Sequence, residues 1–132
     1  MFFSVIIPVY NAQETLRKCL SAISGSKFKN YELIVVDDAS EDQSQKIAEE
    51  FKVKIIKHHY NLGPAAARNS GARLAKGEIL VFVDSDVELF RQIPYGDCIT
   101  FLKKLYIDEA KFPSSSSSSL LLIFFFSMIA VI

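Results

Sequence analysis

The stretch Ile79-Leu80-Val81-Phe82-Val83-Asp84-Ser85-Asp86 runs five apolar residues straight into two carboxylates. An unbroken apolar run of that length reads as a strand of a parallel sheet, buried on both faces. The two acids at its carboxyl end stand where open α/β sheets bind their ligands. Oxygen donors of this kind suit Mg²⁺ or Mn²⁺. Such an ion takes one or two protein carboxylates and completes its shell with water and substrate phosphates. A D-x-D pair by itself is common in solvated loops. Its place directly after a buried strand is what singles out Asp84 and Asp86.

Working back from this strand, the chain alternates strand and helix. Ser4–Val9 is a short β-branched run and predicts a first strand. Asn11 with Glu14 three residues on forms a capping-box pattern for a helix, and Leu16, Cys19, Leu20 and Ile23 recur at helical spacing up to Gly25. Leu33–Val36 predicts a second doubly buried strand. Ser40 with Gln43 repeats the capping-box pattern ahead of a helix expected from about residue 41 to residue 51, with Ile47, Ala48 and Phe51 inward. Residues 53–56 predict a third strand. Asn61-Leu62-Gly63-Pro64 is a loop by its turn residues, and 65–75 is a helix rich in small residues. The resulting β-α-β-α-β-α-β order predicts a mainly parallel sheet of Rossmann-like, doubly wound form.

Several other residues fall at strand ends. Tyr10 ends the first strand, where its ring can stack on a base or pack half-buried in the core. Asp37-Asp38 ends the second. One carboxylate there can accept a hydrogen bond from a nucleobase or ribose while the other turns the chain. A receiver-type acidic pair would follow the first strand instead. His58 and His59 are sequence neighbours on an extended segment, so they point to opposite sides and make a poor chelating pair. Gly63 and the small helix after it suggest close backbone approach, and Arg68 can reach a phosphate or lie on a solvated face. Neither GxGxxG nor GxxxxGK[ST] occurs, and no Ser-His-Asp or Cys-His set assembles from the sequence.

Composition sets the outer bounds. The chain has 132 residues, half of them apolar, which suits one packed domain. Its 15 basic and 15 acidic residues cancel, which argues against a nucleic-acid partner. Cys19 and Cys98 lie far apart and match no zinc or disulfide framework. Met1-Phe2-Phe3-Ser4 lacks a basic leader and Pro8 interrupts the apolar run, so a cytoplasmic, reducing setting is expected. Residues 98–112 carry Ile99, Leu102, Leu105 and Tyr106 at helical spacing but no recognisable role. The last charge is Lys111. Beyond it come six serines, Ser114–Ser119, and the apolar run 120–132. That tail, 113–132, has three readings. It is a marginal membrane span, a membrane-dipping or aggregation-prone end, or the product of a truncated or frame-shifted reading frame.

Three segments, SVIIPVYN (4–11), ELIVVDDAS (32–40) and NLGPAAARNSGARLAKGEILVFVDSDVEL (61–89), resemble in order and spacing the nucleotide-binding half of family 2 glycosyltransferases with a GT-A fold. The resemblance covers residues 3–89. It implies a three-layer α/β/α domain over residues 1–90 and a nucleotide-diphospho-sugar donor, UDP-sugars foremost. It further implies Mn²⁺ or Mg²⁺ at the D-x-D pair and inverting transfer to a glycan, lipid or other acceptor. Carried over by position, Pro8, Val9 and Tyr10 line the base pocket and Asp38 contacts the base. Asp84 lies near ribose and metal, and Asp86 is the direct metal ligand. Arg68 and Asn69 support the donor pocket. From Phe90 onward the resemblance stops. The family's acceptor half and its acidic general base have no counterpart, because Asp97, Asp108 and Glu109 sit in no base motif. The sheet is therefore expected to be truncated after the D-x-D strand, with no catalytic residue assigned. A nucleotide-binding module or remnant without transfer activity stays open beside an enzyme that borrows acceptor surface from a partner or membrane. A nucleotidyltransferase would need a glycine-rich loop after the first strand, and Val9–Thr15 contains no glycine.

Overall fold

The first strand, β1 (Phe3–Val9), lies at the centre of a parallel sheet, and its residues alternate between two apolar layers. The computed structural model describes residues 2–27, 29–86 and 123–126. β2 (Tyr31–Asp37) and β4 (Ile79–Val83) flank β1, β3 (Lys54–Lys57) lies outside β2, and β5 (Ile123–Phe126) lies outside β4. The strand order is β3-β2-β1-β4-β5, all parallel.

The period of two along each strand divides the core. Phe3, Val5, Ile7 and Val9 of β1 share one layer with Leu33 and Val35 of β2 and Ile79, Val81 and Val83 of β4. This layer is covered by α1 (Gln13–Ser24), through Leu16, Cys19, Leu20 and Ile23, and by α2 (Ser44–Glu50), through Ile47 and Ala48. Ile6, Ile34, Val36, Leu80 and Phe82 point the other way, against Ala67 of α3 (Pro64–Leu74). Right-handed crossovers require this split. α1 and α2 carry the chain outward from β1 to β3, and α3 brings it back across the sheet to β4. Small residues let α3 sit close: a Cβ added at Gly71 would collide with the Ile6 side chain.

Both capping-box expectations are corrected. The N-cap of α1 is Ala12 and that of α2 is Gln43, and neither makes a side-chain cap bond. The loops cap each other instead. The Ala12 amide donates to Ser44 Oγ at 2.9 Å and the Gln13 amide to Asp42 Oδ2 at 3.0 Å. In return the Glu41 amide donates to Asn11 Oδ1 at 2.9 Å and the Gln43 amide to Gln13 Oε1 at 3.1 Å. Residues 41–43 are spent in this latch, so α2 starts three residues later than its pattern suggests.

The tail supplies a further strand. Ile123–Phe126 pairs with β4 from Leu80 opposite Ile123 to Val83 opposite Phe126. Four residues of the membrane-span candidate 120–132 are therefore strand, an arrangement that covers the outer edge of β4. Among the described residues no helix is long and apolar enough to cross a membrane. The expected 98–112 helix, Cys98, the acids Asp97, Asp108 and Glu109, and the rest of the tail lie outside the described residues.

Candidate functional site

β1 and β4 pair only from Phe3 opposite Ile79 to Ile6 opposite Phe82. Past that point they part, and a cleft of about 480 Å³ lies at their carboxyl ends. Pro8 fits this geometry. The Val9 carbonyl accepts from the Asp38 amide at 2.8 Å, so Val9 faces β2. Its neighbour Pro8 then turns its nitrogen toward the β4 side, where the ladder has ended and a missing N–H costs no bond. The strand order also reverses here, with β2 on one side of β1 and β4 on the other. That is the topological switch point of the sheet.

The cleft gathers nearly all the residues singled out by sequence. Pro8, Val9, Tyr10, Asp38, Arg68, Asp84 and Asp86 all line it. Tyr10 is 50% exposed, so the core reading of its ring does not hold. Asn69 does not join them; it is exposed on α3 outside the lining. Asn61, Thr15 and Ser85 line the cleft too and went unassigned, since a turn asparagine and two hydroxyls carry no distinctive spacing.

The two carboxylates of the second strand divide their tasks. Asp37 Oδ1 accepts from the Ser40 amide at 3.0 Å and turns the chain, with Ala39 at φ 63°. Asp38 is the hub. Its Oδ1 accepts from the Leu62 amide at 2.9 Å and lies 2.6 Å from His58 Nδ1, while its Oδ2 accepts from the Gly63 amide at 2.8 Å. Burial pushes the Asp38 carboxyl up, yet the Leu62 amide, the His58 ring and the Gly63 amide outweigh it and hold it below its ordinary value. Gly63 itself serves by its φ of 94°, not by close approach, because nothing lies within 4 Å of an added Cβ.

His58 corrects the expectation that no Asp-His-Ser set assembles. Its Nε2 lies 2.8 Å from Ser70 Oγ, which makes a line Asp38–His58–Ser70. Ser70 stands inside α3, where the backbone N–H groups are already bonded along the helix. It therefore lacks the donors that an acyl-transfer nucleophile needs. His59 is exposed, whereas His58 is held by Asp38 and Ser70.

At the other side of the cleft, Arg68 Nη2 meets Asp84 Oδ1 at 2.8 Å, with both side chains about a quarter exposed. The Cys19 thiol lies 3.9 Å from the Asp84 carbonyl and packs under the end of β4. Asp86 is exposed at the cleft. No group of three or more His, Cys, Asp or Glu side chains clusters among the described residues. A closed protein cage is thus not offered there. Two carboxylates beside open space fit a hard cation that draws its other oxygens from phosphate and water.

The sequence model of Glycosyl transferase family 2 matches residues 4–105, which corrects the expectation that the family likeness stops at Phe90. Glycosyltransferase AglE of Haloferax volcanii is 39% identical over 98 residues, which cover 69% of this chain and 32% of that protein. Among solved structures, S. aureus TarS in complex with UDP-GlcNAc superposes with a TM-score of 0.70 at 32% identity, covering 83% of this chain and 32% of that one. The mannosyltransferase PcManGT of Pyrobaculum calidifontis, in complex with GDP-Man and Mn²⁺, follows at TM-score 0.67 and 25% identity, covering 76% and 32%. The chain spans about a third of the length of AglE and of each of these two solved chains.

Proposed function

Because the chain belongs to glycosyl transferase family 2, we propose that its cleft binds a nucleoside-diphosphate sugar, with UDP-sugars foremost, as the donor of a glycosyl transfer. One observation carries this reading. The switch-point cleft places an aromatic ring and a buried carboxylate on the β2 side of β1 and an Arg–Asp–Asp set on the β4 side. β2 and β4 stand two strand spacings apart, roughly 10 Å. That is room for a nucleoside between a base contact and a diphosphate contact.

The roles follow from the chemistry of each group. The exposed Tyr10 ring offers a stacking face. Asp38 accepts three hydrogen bonds, while an ionised carboxylate has about four acceptor positions. The unused position suits the N–H of a uracil or guanine ring. Asp84 and Asp86 would hold Mn²⁺ or Mg²⁺. When bound, that ion supplies positive charge to the leaving diphosphate. Arg68, already beside Asp84, adds a fixed cation that neutralises the carboxylate or pairs a phosphate oxygen. Inverting transfer also needs a base to take the proton of the acceptor hydroxyl. We assign that role to none of the described residues, and the function proposed for them is donor binding. Transfer would require an acceptor half that they do not contain.

Manganese titration tests this reading. The electron paramagnetic resonance signal of free Mn²⁺ is followed with UDP alone and with UDP plus protein. The expected result is extra loss of free-ion signal in the presence of protein, abolished by Asp86→Asn. Identical curves for UDP with and without the wild-type chain would refute it.

A further inference from the structure

His58 follows directly on β3. Its backbone N–H donates to the Asp37 carbonyl at 2.9 Å, which extends the β2–β3 ladder by one residue and fixes the backbone that carries the imidazole. The ring is 10% exposed and the Asp38 carboxylate 3%. An ionised carboxylate only accepts, so Nδ1 carries a hydrogen toward Asp38. In the neutral ring Nε2 then accepts from the Ser70 hydroxyl. One imidazole thus ties β3 to α3 and to the carboxylate that closes the Leu62–Gly63 turn.

We infer that His58 is the positioning residue of the nucleobase end of the cleft. It locks the Asp38 carboxylate, through Nδ1, in the orientation that keeps one acceptor position open to a base. This inference rests on the reading that Asp38 meets the base. Without His58, Asp38 would still accept from the two turn amides, one on each oxygen, but Oδ1 would lose its short third contact and the carboxylate its only side-chain anchor to β3 and α3. Ser70 acts one step further back and sets the tilt of the ring.

Two isosteric substitutions separate positioning from mere packing. His58→Asn places an amide N–H near the Nδ1 position and keeps the donor to Asp38. His58→Gln places its amide at the Nε2 end, within reach of Ser70 but not of Asp38. Calorimetric titration is run on the full chain with two probes, UDP with Mn²⁺ and pyrophosphate with Mn²⁺. His58→Gln is expected to bind UDP about tenfold more weakly, and His58→Asn within about threefold of wild type, as the loss or retention of one bond to a charged group requires. Pyrophosphate, which would meet Arg68, Asp84 and Asp86 only, should bind both variants as it binds wild type. Equal UDP affinity in wild type and His58→Gln would overturn the inference. So would a parallel loss of UDP and pyrophosphate, which would mark a structural role. If His58→Gln does not fold, Ser70→Ala is read in the same two-probe way, with a smaller selective loss of UDP expected. A wild-type chain that takes pyrophosphate but not UDP would overturn the base-pocket reading itself, and this inference with it.

Discussion

Asp84 and Arg68 face each other at 2.8 Å across the side of the cleft where a divalent cation would bind. The guanidinium and a metal ion compete for the same carboxylate. Arg68→Met should therefore tighten binding of Mn²⁺ alone, by up to about fivefold for a partly exposed pair worth at most ~1 kcal/mol, while weakening binding of UDP with Mn²⁺. Unchanged affinity for Mn²⁺ alone would show that the pair does not compete with the ion. The residues of this site were legible in sequence where strand ends announce them: Tyr10, Asp38, Asp84 and Asp86 each follow an apolar run. His58 was not, because its partners stand 12 and 20 residues away and nothing local marks the contact. Asn69 was carried over from the resemblance alone, and helical geometry turns it out of the cleft that its neighbour Arg68 lines.

Elements are held at their ends by long-range partners. The first turn of α1 is capped by Asp42 and Ser44, about thirty residues downstream, and this latch fixes the backbone of Asn11 beside Tyr10. Ser44→Ala and Asp42→Ala should each cost about 1 kcal/mol, the ordinary worth of a helix cap. Glu14→Ala, the partner in the local capping box, should stay within about 0.5 kcal/mol. Urea unfolding of the three variants checks this, and an equal cost at Glu14 would restore the local cap. Strand positions were legible because doubly buried parallel strands leave unbroken apolar runs. The caps were not, since Asn11–Glu14 and Ser40–Gln43 fit a local motif while their bonds run across two loops. Packing sets the limits on α3. Gly71→Ala forces a methyl against Ile6 of β1 and should cost about 1–3 kcal/mol, the usual range for overpacking. Adding Ile6→Val should return part of that loss, and strictly additive costs in the double variant would place the strain elsewhere.

The described residues form a two-sided sheet with bonded carboxylates at both of its ends, and stability should report them through pH. Among the described residues Asp38, Asp42 and Glu32 are held below their ordinary values although burial pushes each of them up. Leu62, His58 and Gly63 lower Asp38. Ser44 and the Gln13 amide lower Asp42. Ser4, the Lys76 amide and the charges of Lys54 and Lys76 lower Glu32. A depressed carboxyl binds fewer protons folded than unfolded, so its contribution is complete above the unfolded value and fades as pH falls through the folded one. Stability to urea should be flat from about pH 7 to 5 and drop below roughly pH 4, with a shallower drop in Asp42→Asn. A chain that gains stability between about pH 5 and 3 would contradict these shifts. At this scale the parallel α/β order was legible from residues 4–83, whereas β5 was not. Ile123–Phe126 is as apolar as a membrane segment, and only pairing with β4 distinguishes the two. Donor binding is tested most directly by the melting temperature of the full chain with UDP, with and without Mn²⁺, because a ligand of the native state stabilises it by mass action. A rise of several degrees that needs both UDP and Mn²⁺ and vanishes in Asp86→Ala is expected; a wild-type melting temperature that UDP and Mn²⁺ leave unchanged would contradict it.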